Sequence, residues 1–353
     1  MIKKVGILGF AHGHVMAYGG AWVKNPEMGV KIVVGWDHDE GRLTNSAAQL
    51  GGIDKAATVD ELLASDIDAV VISSETSYHA ELVEASAAAG KAIICYKPMA
   101  LTMAQADSIV AAIEKYAVPF TMGYQMRVDP QNIKIKELIH SGEIGDIFMY
   151  RRRHGLSTHV WGGFKDTWHN NPEYNRDIFA DDSSHPIDML NWIFGVPETV
   201  SAELSTMNSP DVPNDNGIAV YKYANGMLAE ISCPFSCSAS EITTEVYAKK
   251  GSIQQYYGDG PSTRLPRADG QAGLKWFVEG NSEWTDSGIP SPASHGERLG
   301  DQAQPFADFL FGRRGPICSV YEGRDSLRMV LACYLSAREG KRVRVDDPRV
   351  YEI

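Results

Sequence analysis

Five short apolar runs, residues 5–10, 30–36, 67–73, 92–95 and 120–123, alternate with stretches that read as helices, and this alternation limits what the N-terminal third of the chain can become. Ile67-Asp68-Ala69-Val70-Val71-Ile72-Ser73 is nearly continuous in apolar character, as a parallel strand buried on both faces requires. Strands joined by helices at such spacing build a doubly wound sheet. The helix before the fourth run, 80–89, stops at Gly90, a residue suited to the left-handed C-cap.

The first run ends in Gly9 and is followed by Phe10-Ala11-His12-Gly13-His14 and a helical stretch through Trp22. Strand, tight loop and helix are the opening of a dinucleotide-binding unit, in which helix N-terminal amides receive a pyrophosphate. Set against G-x-G-x-x-G, the three positions are Gly9, Ala11 and His14, so only the first glycine is in place. The second run ends at Asp37, where an acid can accept both ribose hydroxyls of NAD and repel the 2′-phosphate of NADP. Asp37-His38-Asp39 can equally cap a helix beginning near Gly41, and the two roles are compatible. Arg42 is within reach of the same ribose and can turn toward a phosphate, so NAD is the expected cofactor and NADP the less favoured one.

Lys97 follows the fourth run in Cys95-Tyr96-Lys97-Pro98-Met99-Ala100. Proline fixes its own φ and biases the preceding residue toward extended geometry, which aims the lysine from a strand end. Thr102 and Gln105 fit a capping box that starts a helix over 103–116. On these residues alone a surface lysine in a strand-to-helix turn is the ordinary alternative.

The texture changes after Asp129-Pro130, an N-cap and first helical residue for a helix ending at Gly142. Strand candidates then succeed one another at 147–153, 200–207, 218–223, 227–233 and 242–249, with Asn225-Gly226 as a hairpin turn. Successive strands imply antiparallel pairing. Arg151-Arg152-Arg153 reads as a solvated strand edge whose members alternate in direction. Residues 258–300 read as long loops between short strands, and 306–311 and 323–338 as closing helices. Asp181, His185 and Asp188 recur at four and then three positions, which places them on one face of a helix whose first turn holds Pro186. Helix-start acids with one satisfied histidine fit the same spacing. Between them and the first strand lies a stretch with His159, Trp161, Trp168 and His169, where tryptophan can stack on a pyranose or simply form a packed lid.

Val5–His14, Asp37, the run from Val70 to His79, Gly90–Thr102 and Gly123–Asp129 together resemble the glucose–fructose oxidoreductase and inositol dehydrogenase family, Gfo/Idh/MocA. The signature Glu-Lys-Pro of that family stands here as Tyr96-Lys97-Pro98, and its Ala-Thr-Pro-x-x-x-His as Ser73-Ser74-Glu75-Thr76-Ser77-Tyr78-His79. Its Asp-x-x-x-His-x-x-Asp matches Asp181, His185 and Asp188 in register, with Asn175-Arg176-Asp177 in place of the usual glycines. The resemblance implies an α/β N-terminal Rossmann domain over 1–124 and an α+β C-terminal domain over 125–353 with a large, mainly antiparallel open sheet. It implies an NAD-dependent oxidoreductase of a secondary alcohol in a sugar, glycoside, sugar acid or cyclitol. Catalysis would fall to Lys97, His185 and Asp181, with His185 or a neutral Lys97 as base. Gly9, Phe10, Ala11, His12, Gly13, His14, Asp37, Arg42, Ser73, Ser74, His79, Tyr96 and Lys97 would meet the cofactor. Lys97, Tyr124, Arg127, Arg153, Trp161, Trp168, Asp181 and His185 would meet the substrate. Reductases of non-sugar carbonyls and catalytically silent cofactor-sensing regulators share the resemblance; retention of Lys97 and His185 weighs against the regulator.

Composition excludes other classes. A net charge of −12 over 353 residues offers no basic footprint for nucleic acid or anionic lipid, and no apolar stretch is long enough for a membrane span. Five cysteines without C-x-x-C spacing suggest neither a disulfide framework nor a zinc knuckle, and no metal is expected. Strand-like sequence from Lys4 leaves no room for a signal peptide, so a cytoplasmic protein is expected. The apolar positions of 218–223 and 227–233 lack helices to cover both faces, which predicts a homodimer or homotetramer built through that sheet.

Overall fold

The computed structural model describes residues 2–353 except 209, 239–241, 257–269, 271 and 293. The chain divides into two compact units. Unit 1 comprises Met1–Val128, Glu173–Asn175 and Gly296–Leu327; unit 2 comprises Asp129–Pro172, Arg176–His295 and Arg328–Ile353. A single cut after residue 124 therefore does not reproduce the units, because two later segments return to the first.

Unit 1 carries strands β1 (Lys3–Leu8), β2 (Val30–Trp36), β3 (Asp54–Lys55), β4 (Ala69–Ile72), β5 (Ala92–Tyr96) and β6 (Phe120–Gly123). They form one sheet in the order β3-β2-β1-β4-β5-β6, every neighbouring pair parallel. This is the doubly wound order of a Rossmann domain, with its reversal between β1 and β4. β4 is buried along its whole length, which explains its unbroken apolar sequence. Helices His14–Lys24, Glu40–Gln49, Val59–Ala64, His79–Ala88 and Met103–Tyr116 follow the strands. The last begins as expected: Thr102 Oγ1 accepts from Gln105 N at 3.3 Å, and Gln105 Oε1 accepts from Leu101 N at 3.0 Å. The core joins Tyr18, Trp22 and Tyr96 to Phe306, Phe309 and Ile317, and Trp22 Nε1 donates to Ala303 O at 2.9 Å. Helix Ala303–Leu310 is thus a member of this core, and it starts three residues before its expected limit.

Unit 2 opens with helix Pro130–Ser141, N-capped by Asp129 and ended by Gly142 in the left-handed conformation, φ 74°. Its strands are β7 (Ile147–Arg153), β8 (Thr199–Ser205), β9 (Asn216–Lys222), β10 (Leu228–Pro234), β11 (Thr243–Ala248), β12 (Gly251–Tyr256), β13 (Leu274–Val278), β14 (Thr285–Asp286) and β15 (Val343–Arg344). Among the described residues they form one nine-stranded sheet, β14-β13-β12-β11-β7-β10-β9-β8-β15. Pairing is antiparallel except between β7 and β10, which run parallel. The turn between β9 and β10 places Gly226 at φ 91°, the conformation its hairpin signal implies. The arginine strand is corrected: β7 lies inside the sheet, and not at its edge. Arg152 is buried, whereas Arg151 is exposed and bonded to Glu230 and Glu245 on the neighbouring strands, each at 3.0 Å. The stretch 258–300 carries the short strands β13 and β14 as expected, and is corrected only by helix His295–Gly300; residues 258–269, 271 and 293 lie outside the described ones.

Tyr150, Tyr221, Ala229, Ile231, Val246 and Ile253 are buried on one face of this sheet. The other exposes Met149, Ile218 and Leu228, with Leu228 opposite Met149 in register. Helix Val320–Glu339 is longer than expected, and no helix among the described residues is long and apolar enough to cross a membrane.

Candidate active site

Five functional candidates of unit 1 follow directly on the carboxyl ends of parallel strands: Gly9 after β1, Asp37 after β2, Ser73 after β4, Lys97 after β5 and Tyr124 after β6. In open α/β sheets this rim is where ligands bind. Gly9 has φ 84°, and a Cβ there would stand 2.5 Å from the Cα and Cβ of Ser74. Only glycine lets the loop cross so close to the end of β4. The loop is laced to that strand end, His12 N donating to Ser73 O at 2.9 Å and Ser73 Oγ to His12 O at 2.8 Å. Gly13 has no such constraint, its Cβ position being open, and no side chain caps the helix that begins at His14. The first-turn amides of that helix are the donors a pyrophosphate would use.

The acids after β2 divide their roles. Asp39 caps helix Glu40–Gln49 by accepting from Arg42 N at 2.9 Å. Asp37 accepts from Phe10 N at 2.7 Å, Asp39 N at 2.8 Å, and Nε and Nη2 of Arg42, both at 2.7 Å. Arg42 Nη2 also donates to Glu75 Oε1 at 2.8 Å, and both Glu75 oxygens lie 3.1 Å from His38 Nε2. These carboxylates hold the Arg42 guanidinium pKa above its ordinary value against the opposing pull of burial.

Lys97 is 2% exposed and is joined to Pro98 by a cis peptide bond. The turn that presents it is stapled by His79, whose Nδ1 lies 2.9 Å from Pro98 O and whose Nε2 lies 3.3 Å from Ser74 O. His79 is wholly buried, and desolvation pushes its pKa below 6.5. It therefore ties together the loops that carry the site. Tyr96 is similarly committed to the core: its ring stacks on Tyr18 at 5.5 Å, its hydroxyl bonds Gln302 at 3.0 Å, and burial drives its pKa far up. Tyr96 is thus a core aromatic. Arg127 Nη1 donates to Ile317 O at 3.2 Å and Glu322 Oε1 at 2.6 Å, a structural pairing that accounts for its burial; Tyr124 is buried beside it.

In unit 2 the Asp181 and His185 spacing spans two helices, Ile178–Asp182 and Ser184–Phe194, and not one. Pro186 falls in the first turn of the second, as expected. Asp181 is fully buried, with Oδ2 2.5 Å from Nδ1 of His169, whose ring stacks on Trp168 at 4.0 Å. His185 is 2% exposed, with Nε2 3.9 Å from Asp182 Oδ1 and its ring 5.8 Å from the ring of His154. Arg152, buried on the face of β7 that also carries Tyr150, donates to Thr244 Oγ1 at 2.6 Å, and Gln255 links that pair to Gln131 and Asn132. Arg153 lies on the opposite, exposed face of β7. Trp161 is exposed and packs edge-on against Phe164 at 5.3 Å. His154, whose ring neighbours that of His185, and Arg152, on the same strand face, were not singled out by the sequence reading. Strand alternation, counted from buried Tyr150, was the signal for both.

The strand order, the glycine turn and the acid after β2 define unit 1 as a dinucleotide-binding unit of the oxidoreductase class. Residues 3–124 match the oxidoreductase family with an NAD-binding Rossmann fold, and residues 132–254 match the GFO/IDH/MocA C-terminal domain. The chain belongs to the GFO/IDH/MocA oxidoreductase family. The D-apiose dehydrogenase of Paraburkholderia graminis is 28% identical over 320 residues, covering 89% of this chain and 83% of its own. Inositol 2-dehydrogenase 1 of Saccharopolyspora erythraea is 25% identical over 360 residues, 98% of this chain and 96% of its own. Levoglucosan dehydrogenase, solved with NADH and levoglucosan, shares the fold at a TM-score of 0.84 and 20% identity, covering 98% of this chain and 100% of that one.

Proposed function

We propose that the protein is an NAD-dependent dehydrogenase that oxidises a secondary alcohol of a sugar, glycoside, sugar acid or cyclitol, or reduces the matching ketone. The observation that carries this reading is the buried Lys97 at the end of β5, on the same strand-end rim as Gly9 and Asp37. D-apiose, inositol and levoglucosan dehydrogenases as relatives support a polyhydroxylated substrate. The residues present fit the cofactor: the Gly9 crossing leaves no room for a side chain, and Asp37 offers a carboxylate at the ribose position. Gly9–His14, Asp37, Ser73 and Ser74 would hold it. The nicotinamide, when bound, supplies the hydride acceptor or donor.

The chain's own residues move the proton. His185 takes it from the hydroxyl as the carbonyl forms and returns it in the reverse direction, a role suited to imidazole near neutral pH. Lys97 as ammonium stabilises the developing alkoxide. Asp181 holds His169 against Trp168 and, one turn before His185, orients the site histidine. We further propose a homo-oligomer formed through the exposed sheet face of unit 2. The test of the reading is NAD reduction across a panel of pentoses, hexoses, uronic acids, anhydrosugars and inositols. Turnover of at least one polyol above the background of a Lys97→Met control is expected, and activity confined to non-sugar carbonyls would overturn it.

A further inference from the structure

Arg42 alone makes the ribose site ambiguous, because a guanidinium there can bond a carboxylate or a 2′-phosphate equally well. A residue outside the usual recognition loop lies against that guanidinium. Glu75, 2% exposed, lies just beyond β4 and accepts from Nη2 of Arg42, the same nitrogen that bonds Asp37. A carboxylate has about four acceptor positions, and Asp37 already receives from Phe10 N, Asp39 N and two nitrogens of Arg42. A ribose diol can therefore reach Asp37 only by taking over positions that Arg42 fills. Once displaced, the guanidinium needs another anion in reach, and Glu75 is already bonded to it.

We infer that Glu75 is a specificity-determining residue for the cofactor: it retains Arg42 when the diol of NAD engages Asp37, and it competes with the 2′-phosphate of NADP for that same guanidinium. The inference rests on the NAD reading above. Two carboxylates stand against one guanidinium here, which adds repulsion to the competition. Replacing Glu75 by a neutral residue frees Arg42 to fork onto phosphate oxygens and removes one repelling charge. The gain in NADPH binding must then depend on Arg42.

The experiment is fluorescence titration of the purified full chain with NADH and NADPH, for the wild type, Glu75→Gln, Glu75→Ala and Glu75→Gln combined with Arg42→Ala. The expected result is a wild type that prefers NADH, a shift of at least about tenfold toward NADPH in both single variants, and loss of that shift in the double variant. An unchanged NADH/NADPH ratio in Glu75→Gln and Glu75→Ala overturns the role of Glu75 while leaving the NAD reading intact. A shift that survives Arg42→Ala overturns the competition for the guanidinium. A wild type that favours NADPH overturns the NAD reading itself. Glu75→Ala deletes the carboxylate without asking an amide to occupy its place, so a folding defect peculiar to glutamine leaves the test in force.

Discussion

His79 illustrates how a buried side chain can hold two loops of the site together. Two carbonyls face its ring nitrogens, yet burial holds the imidazole in its neutral form, which has one N–H to donate; the 2.9 Å contact assigns that proton to Pro98 O. Because the folded pKa is depressed below 6.5, the unfolded chain binds the proton more readily. This stabilising contribution is therefore complete above the unfolded value and declines as pH falls below it. In thermal unfolding, the stability gap between wild type and His79→Asn should narrow between about pH 7.5 and pH 5.5, by at most about 1.4 kcal/mol per unit. A gap independent of pH would remove the neutral-ring account. At this scale the sequence disclosed residue types and spacing but not partners. It placed Asp37, Lys97, Asp181 and His185 as candidates, yet the carboxylate of Asp181 meets His169, twelve positions away, through a fold of the intervening turns that no periodicity records. Glu75 was visible only as a departure from proline, and its bond to Arg42 depends on how β2 and β4 are brought together across β1.

Elements were legible where local rules decide them. Strands 30–36 and 120–123 and helices 103–116 and 130–141 stand where patterning and caps put them, because the termination signals are local to each. β12 was missed: Gly-Ser-Ile-Gln-Gln-Tyr shows little apolar patterning, and pairing with neighbouring strands, not propensity, makes it a strand. The Arg151–Arg153 strand was misplaced for a related reason, since alternation gives the face of each side chain but not the rank of the strand in its sheet. The exposed face of that sheet carries a prediction. Ile218, Leu228 and Met149 are 42%, 38% and 36% exposed on strands whose other face is packed. If this face joins copies of the chain, Ile218→Asp with Leu228→Asp should halve the mass measured by light scattering at micromolar concentration while leaving the far-UV circular dichroism unchanged. A wild type that is already monomeric, or a double variant with unaltered mass, would contradict the assembly.

At the scale of the whole chain, the two-domain plan and the family were readable from motifs scattered over most of its length, whereas the return of 173–175 and 296–327 to unit 1 was not. Such returns depend on long-range packing, here of Phe306, Phe309 and Ile317 on Trp22 and Tyr18, which composition alone does not disclose. The central proposal is that Lys97 and His185 carry the proton chemistry of the hydride transfer. The most direct test is steady-state turnover of Lys97→Met and His185→Ala on a substrate from the panel, with NADH affinity measured in parallel. Loss of proton transfer or alkoxide stabilisation should lower kcat by about 10²-fold or more in each variant while NADH affinity stays within a few-fold. Near-normal turnover in either variant would contradict the account, and loss of NADH binding in Lys97→Met would assign that lysine to the cofactor site and not to the chemistry.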